Sequence, residues 1–373
     1  MIKDGHISPF QLIALFSILL FGKQLDPSVL LFIHWGHNAP ELFFLIAQVS
    51  MIALISLMLP LFKDPHKNLF DHFHDLFGPI FGSMLTLLIF IMVLLDVSTS
   101  VVFDLEQIRT VFLPTTPATL TLFILITNMV IPSYFGIEVM GRSNLLVFFV
   151  ISTVLIIWNL LMWPMANVNN IPPIFGPGIP QLLKQGILHS GFFIEFIVYL
   201  MMRPYVRSYT SFKRSFYLVA MITLVIGMFR LLLVQLIMPY PVDDQVFFPF
   251  IEIVKLIYAG KFFEHLEAVY TVGWLVLALA RLSFMVYVLV ISAATLARAH
   301  NHRRFIPSIG ALIYYIALLN TSLSDAIDFT DVVLVQRFSL IYGFIFTLFI
   351  AVSYAKLLKK KWAQKKQIKP QPT

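Results

Sequence analysis

Four charged side chains fall inside apolar runs where a bilayer would leave them without water: Lys23, Asp96, Glu195 and Arg281. A charge in that position is costly, so each needs a partner, a cavity or a ligand. A helical rise of about 1.5 Å per residue across a hydrocarbon core of about 30 Å sets their depths. Gly22 and Lys23 lie about 18 Å from Phe10 along the first run. Glu195 lies midway between Gly186 and Arg203 in the sixth run, and Arg281 midway between Glu267 and Arg298 in the eighth. Three helices thus bring charges to one level near the bilayer centre, with Asp96 in the third run somewhat further outward. Ammonium, guanidinium and carboxylates at one depth suit recognition of a small zwitterionic solute.

Two of these runs carry a local interruption. "LLFGKQLDPS" places Gly22, Lys23, Gln24 and Asp26 in the middle of the first run, and "LHSGFFIEF" places Ser190 and Gly191 just before Glu195. Unwinding a membrane helix frees N–H and C=O groups and aims half-helix dipoles at a bound solute, as in transporters built on inverted repeats. The candidate ligand-binding residues are therefore Gly22, Lys23, Gln24, Asp96, Ser100, Ser190, Gly191, Glu195 and Arg281. The competing reading is a set of buried ion pairs that orient helices and bind nothing. Charges alone do not separate the two; breaks in two helices at one depth favour the ligand. Arg230 and Arg337 read as structural, Arg230 snorkelling from the outer half of the seventh run along an aqueous cavity.

The elements that must position these residues are membrane helices. The chain has 373 residues, 59% hydrophobic and 12% charged, with 37 Phe. That is about half the charge of a soluble protein, too little polar surface to cover a globule in water. Apolar runs place passes at about 8–33, 40–62, 80–103, 118–137, 144–164, 186–202, 215–238, 266–296, 305–322 and 332–356. Alternate loops hold the positive charge, from Lys63 and Lys67 through Arg142, Arg203 and Arg207 to Arg298, Arg303 and Arg304, whereas Asp243, Asp244, Asp325, Asp328 and Asp331 lie in the others. Lys and Arg are retained on the cytoplasmic side, so both termini are expected inside. The basic tail, 357–373, belongs to the same pattern and not to nucleic acid. The segment "HKNLFDHFHDLFGP" has helical apolar spacing and is expected to lie along the inner interface, its histidines on the polar face. "NNIPPIFGPGIP" reads as a Pro/Gly loop, and "FFPFIEIVKLIYAGKFFEHLE" as a short amphipathic helix before the eighth pass.

The residue inventory excludes several functions. With no cysteine there is neither a disulfide scaffold nor thiolate chemistry. No nucleotide loop, metalloprotease helix or hydrolase elbow is present, so no enzyme chemistry, cofactor or metal is expected. No removable signal peptide is read at the start.

Four stretches, "ISPFQLIALFSILLFG", "LFDHFHDLFGPIFGSMLTLLIF", "NNIPPIFGPGIPQLLKQG" and "FPFIEIVKLIYAGKFFEHLEAVYTVGW", follow one another along the chain, with Glu195 in the sixth pass. On these the sequence resembles the B subunits of GerA-type nutrient germinant receptors of endospore-forming bacteria, a branch of the amino acid–polyamine–organocation transporter superfamily, with Glu195 at the family's sixth-pass glutamate. The resemblance implies an all-α, LeuT-like membrane fold in one polytopic domain, with helices one and six broken and two inverted five-helix repeats, about 8–164 and 186–356. It also implies the spore inner membrane, A-type and lipoprotein C-type partner subunits, and a nutrient-sensing role that triggers ion and dipicolinate release. A proton-coupled amino-acid transporter of the same superfamily is the alternative, and a scaffold closed by ion pairs a third. Gly22-Lys23-Gln24 departs from the family's Gly-small-Gly or Gly-Ser-small pattern, and Arg281 is likewise unusual. The Lys23 ammonium there stands in for a coupling cation, pairs with Asp96 or Glu195, or recognises an acidic ligand.

Overall fold

A computed structural model describes residues 5–242, 246–257, 266–319 and 322–367, and among them every regular element is helical. The first helix, α1 (Pro9–Lys23), starts where the sequence dictates. Ser8 caps it, its hydroxyl accepting from the Gln11 amide at 3.2 Å while the Gln11 side chain accepts from the Ser8 amide at 2.8 Å. Pro9 occupies the first turn, where a missing N–H is harmless. From Leu12 to Lys23 only Ile13 is not fully buried, so α1 is enclosed all round and runs through the middle of the bundle against α6, α9 and α11. A 3-10 turn (Pro27–Val29) and α2 (Leu30–Gly36) complete this pass, bent by 72° from α1.

Six helical stretches are long and apolar enough to cross a bilayer unaided. They are α3 (Pro40–Met58) with its terminal turn, α4 (Leu69–Val111), α6 (Gly136–Met162), α9 (Tyr209–Ile237), α11 (Leu266–Leu296) and the last pass. The other passes are irregular: the bent α1–α2 pair, the shorter α5 (Ala118–Val130), and α12 (Ile306–Leu319). In the sixth, α7 (Ile179–Leu188) and α8 (Glu195–Met201) are separated by a 3-10 stretch, His189–Phe193. A short α10 (Pro249–Lys255) precedes α11, and the final pass comprises α13 (Leu323–Phe329), a π-helical stretch Thr330–Arg337 and α14 (Phe338–Gln367). The fifth, sixth and tenth passes begin earlier than hydropathy suggests, at Gly136, Ile179 and Leu323. Arg142 accordingly lies on α6, 3.9 Å from Glu138, and not in a loop. Asp243 and Asp244, and the latter part of the segment before the eighth pass, lie outside the described residues.

The amphipathic segment after α3 is helical as expected, but it does not merely rest on the interface. Gly78, at φ +81°, folds the Leu69–Phe77 arm back over the start of the third pass. Leu69, Phe70 and Phe73 are fully buried, and Phe73 meets Phe349 of α14 edge-on at 5.7 Å. His74 sits 3.1 Å from the Ser83 hydroxyl, His72 packs on Phe62 at 4.6 Å, and no metal-binding group of His and acidic residues occurs among the described residues.

Candidate functional site

The break in the first pass is set by Asp26 and Pro27. Proline cannot donate to the preceding turn, and Asp26 caps the new one, accepting from the Ser28 amide at 2.9 Å and from the Ser28 hydroxyl. The helix does not open at Gly22 itself: α1 continues through Lys23. Its missing side chain serves packing, because a Cβ there would lie 2.6 Å from the Cδ of Arg281.

The break ends α1 on Lys23, whose ammonium lies 2.8 Å from Asp96 Oδ1 and 3.2 Å from Glu195 Oε1. The Phe192 ring closes over it at 4.9 Å. Lys23, Asp96 and Glu195 are 3%, 7% and 0% exposed, so this triad is sealed from both water and lipid. Arg281 forms a second knot, with Nη1 2.7 Å from Asp26 Oδ2 and Nη2 donating to the Ser100 hydroxyl at 2.5 Å. The geometry joins the first, sixth and eighth passes at one level, as their depths required, and brings Asp96 of the third pass to the same level rather than further outward. Two cations thus meet three carboxylates in direct contact. A fourth, Asp104, lies one turn beyond Ser100 near Arg281, buried and with no hydrogen-bond partner on either oxygen.

Gly191 lies within the 3-10 interruption of the sixth pass. Its amide donates to the Ser339 hydroxyl at 2.6 Å, and a Cβ there would meet that hydroxyl at 2.5 Å and the Val335 carbonyl at 2.8 Å. Glycine at this point lets the last pass press against the broken sixth. Gln24 turns away from the cluster, donating to the Thr223 carbonyl of α9 at 3.2 Å. The half-buried Ser190 joins none of the ion pairs.

Sequence reasoning overlooked several participants. Asp26 carried a visible signal, an Asp-Pro pair at a helix start, but was read only as part of an interruption. Tyr342 on α14 bears no charge and gave none, yet its hydroxyl is buried without a hydrogen-bond partner and within electrostatic reach of Asp96 and Glu195. A polar link nearer the end of α2 was also missed. Asp331, in the π-helical stretch, accepts from Trp35 at 3.1 Å and Gln336 at 3.0 Å, and lies 2.9 Å from His189 Nε2. It ties α2, the sixth-pass break and the tenth pass together.

The side of the bundle where α1 begins is stitched as well. The Ile7 amide donates to the Tyr205 carbonyl at 3.0 Å, and Arg203 donates to the carbonyls of Phe62 and Lys63 at 2.9 and 3.1 Å. A polar cleft of about 280 Å³ remains there, lined by His66, Asn68, Asp71, Tyr205, Thr295 and Arg298 among others.

Comparison with known proteins agrees with this architecture. A family model described as spore germination protein matches residues 6–326. No curated protein sequence matches. Among solved structures, the chain is similar to Mhp1, a nucleobase-cation-symport-1 family transporter, in a closed conformation with bromovinylhydantoin bound. The identity is 14%, the alignment covers 97% of this chain and 94% of that one, and the TM-score is 0.62. At that identity the likeness shows the fold: an all-α, multi-pass membrane protein of the LeuT-like type, with broken first and sixth helices.

Proposed function

We propose that this chain, which belongs to the spore germination protein family, is a nutrient-sensing membrane subunit of a germinant receptor. Its ligand is a small polar solute, an amino acid, held where the first and sixth helices break. One observation supports this reading above the rest: an ammonium shared by two carboxylates lies sealed between those breaks. An incoming zwitterion carries the same groups. Its ammonium competes with Lys23 for Asp96 and Glu195, and its carboxylate takes the Lys23 ammonium or the Arg281 fork. Gly22, Ser100 and Gly191 give the cluster its close packing, and Asp26 and Tyr342 complete its wall. Because the closed arrangement satisfies these charges internally, a ligand acts by favouring a second arrangement in which they turn to it. A-type and lipoprotein C-type subunits in the spore inner membrane would read that change, with both termini and the basic tail on the cytoplasmic side.

The test is saturable binding of radiolabelled neutral, acidic and basic amino acids to the purified chain. Binding to at least one class is expected, and its loss in both Lys23→Met and Glu195→Gln. Binding that survives both variants, or an unchanged response to every nutrient in spores lacking the gene, sinks the proposal.

A second reading, a proton-coupled amino-acid transporter, draws on the fully buried Glu195 beside an intramembrane lysine. Uptake into proteoliposomes that scales with an imposed pH gradient would favour it over the sensor.

A further inference from the structure

Asp104 is the carboxylate that the helix-break cluster leaves over. It is 1% exposed, and neither of its oxygens accepts a hydrogen bond. An ionised carboxylate buried in that state has lost its water and gained no donor in exchange. The charged groups facing it are Arg281 of α11 and Asp26 at the first-pass break. Arg281 is already held: one nitrogen lies 2.7 Å from Asp26 and another donates to Ser100. One guanidinium therefore stands between two carboxylates and pairs with only one of them.

Among the described residues no other charge makes up the difference. Asp96, two turns back on α4, shares Lys23 with Glu195, and Glu106 and Arg109, further along α4, pair with each other at 2.8 Å. Helices α5 and α12, which also pack on α4, carry no charged side chain. In the tenth pass Asp325, Asp328 and Arg337 are exposed and Asp331 is held by His189. Arg230 of α9 is buried with its Cζ 4.1 Å from the Phe250 ring and its guanidinium beside Tyr270, not turned out towards water as its place in the seventh run suggests. Gln107, three residues beyond Asp104 and so its neighbour on the surface of α4, is also 1% exposed, with no donor to its Oε1. Acceptors predominate here and a donor is missing. A protonated carboxyl group supplies one, and it removes the unpaired charge at the same time.

We propose that Asp104 is a proton-binding site whose occupancy follows closure of the first-pass break. While Arg281 holds Asp26, Asp104 stands as the neutral acid. When the break opens, Asp26 meets the water that the opening admits, and the guanidinium moves from Ser100 to Asp104, about 6 Å along α4. The carboxyl O–H bond then breaks, its proton passes to that water, and an Asp104–Arg281 ion pair replaces it. The group is distinct from Glu195, on which the transporter reading draws. Holding the proton does not depend on the germinant reading; releasing it rests on the opening which that reading supposes.

The test is infrared difference spectroscopy of the purified full chain in lipid at neutral pH, reading the C=O band of protonated carboxylic acids. Asp104→Asn should remove one such band. Asp26→Asn should remove the same band with Asp104 still present, because Arg281 then turns to Asp104, whereas Glu195→Gln should leave it. Thermal unfolding gives a second readout. The folded chain holds this proton where the unfolded chain has released it, so the parent loses stability as pH rises from about 5 to about 8. Asp104→Asn should flatten that slope by up to one proton, and at neutral pH it should unfold at the parent temperature or above it, since the amide keeps the shape of the neutral acid. A band that survives Asp104→Asn or is untouched by Asp26→Asn overturns the proposal. So does a pH slope equal in parent and Asp104→Asn, or a sharp fall in the unfolding temperature of that variant, which would mark an ionised, paired carboxylate. Stabilisation by sodium or potassium over N-methylglucamine that Asp104→Asn abolishes would assign a metal cation in place of the proton.

Discussion

Lys23 is the residue on which the cluster turns, because it neutralises Asp96 and Glu195 at once. Removing one member of a buried ion pair leaves an uncompensated charge, which typically costs about 3–5 kcal/mol. Lys23→Met should therefore lower the unfolding temperature in detergent sharply. Adding Glu195→Gln should recover part of the loss, a non-additivity that a thermal double-mutant cycle measures directly. If the two losses simply add, the pair is not coupled. Gly22 gives a second check at this scale. Gly22→Ala forces the Arg281 side chain off its path and should cost about 1–3 kcal/mol. Gly343→Ala, with nothing within 4 Å of the added carbon, should leave stability unchanged or slightly raised. The charges were legible in sequence because apolar runs isolate them and helical rise gives their depth. The role of Gly22 was not, since a glycine beside a lysine reads equally as hinge or as clearance. Only the position of Arg281, on a helix 259 residues away, decides between them.

The elements follow a similar division. Helix starts and breaks that rest on local chemistry leave a signal in the sequence: the amphipathic arm before the third pass is read from its spacing, whereas the Ser8 cap and the Asp26-Pro27 stop, equally local, went unread. The π-helical stretch Thr330–Arg337 gave no such signal, because its four aliphatic residues between polar ends read as an ordinary helix. Its widening is a tertiary matter, found often at functional sites. Here it delivers Asp331 to His189 and Trp35, and it sets Ser339 against the Gly191 amide. Asp331→Asn should loosen that junction. The expected result is faster amide hydrogen exchange in residues 187–193 and 330–337, with the Leu69–Phe77 arm unaffected. Exchange unchanged at the sixth-pass break would show that Asp331 holds nothing there. Ser339→Ala makes the same point from the other side, leaving a buried amide without its acceptor at about 1–3 kcal/mol.

At the scale of the whole molecule, the described structure is closed on both sides of the cluster. Asp331 gathers the helix ends on one side, and Arg203, Ile7 and Tyr205 hold the other. The ordering of passes was visible in hydropathy, but closure was not, because it depends on contacts between residues far apart in sequence. On the proposed function, a solute reaches Lys23 only through an arrangement in which one of these closures has opened, and it shifts the populations only as far as its affinities for the two arrangements differ. The chain contains no cysteine, so this can be tested on an unmodified background. Thr295→Cys opens onto the polar cleft beside Asp71 and Arg298, and a membrane-impermeant maleimide should modify it from the side that carries the basic loops. Ser100→Cys, 3% exposed beside Arg281, should resist the same reagent. An amino acid that binds at the breaks should change the Ser100→Cys rate at concentrations near its dissociation constant, because it shifts the population between closed and open arrangements. Ready labelling of Ser100→Cys without ligand would mean that the sealed cluster does not represent the resting protein. A rate indifferent to every bound solute would mean that the ligand site and the closures are uncoupled.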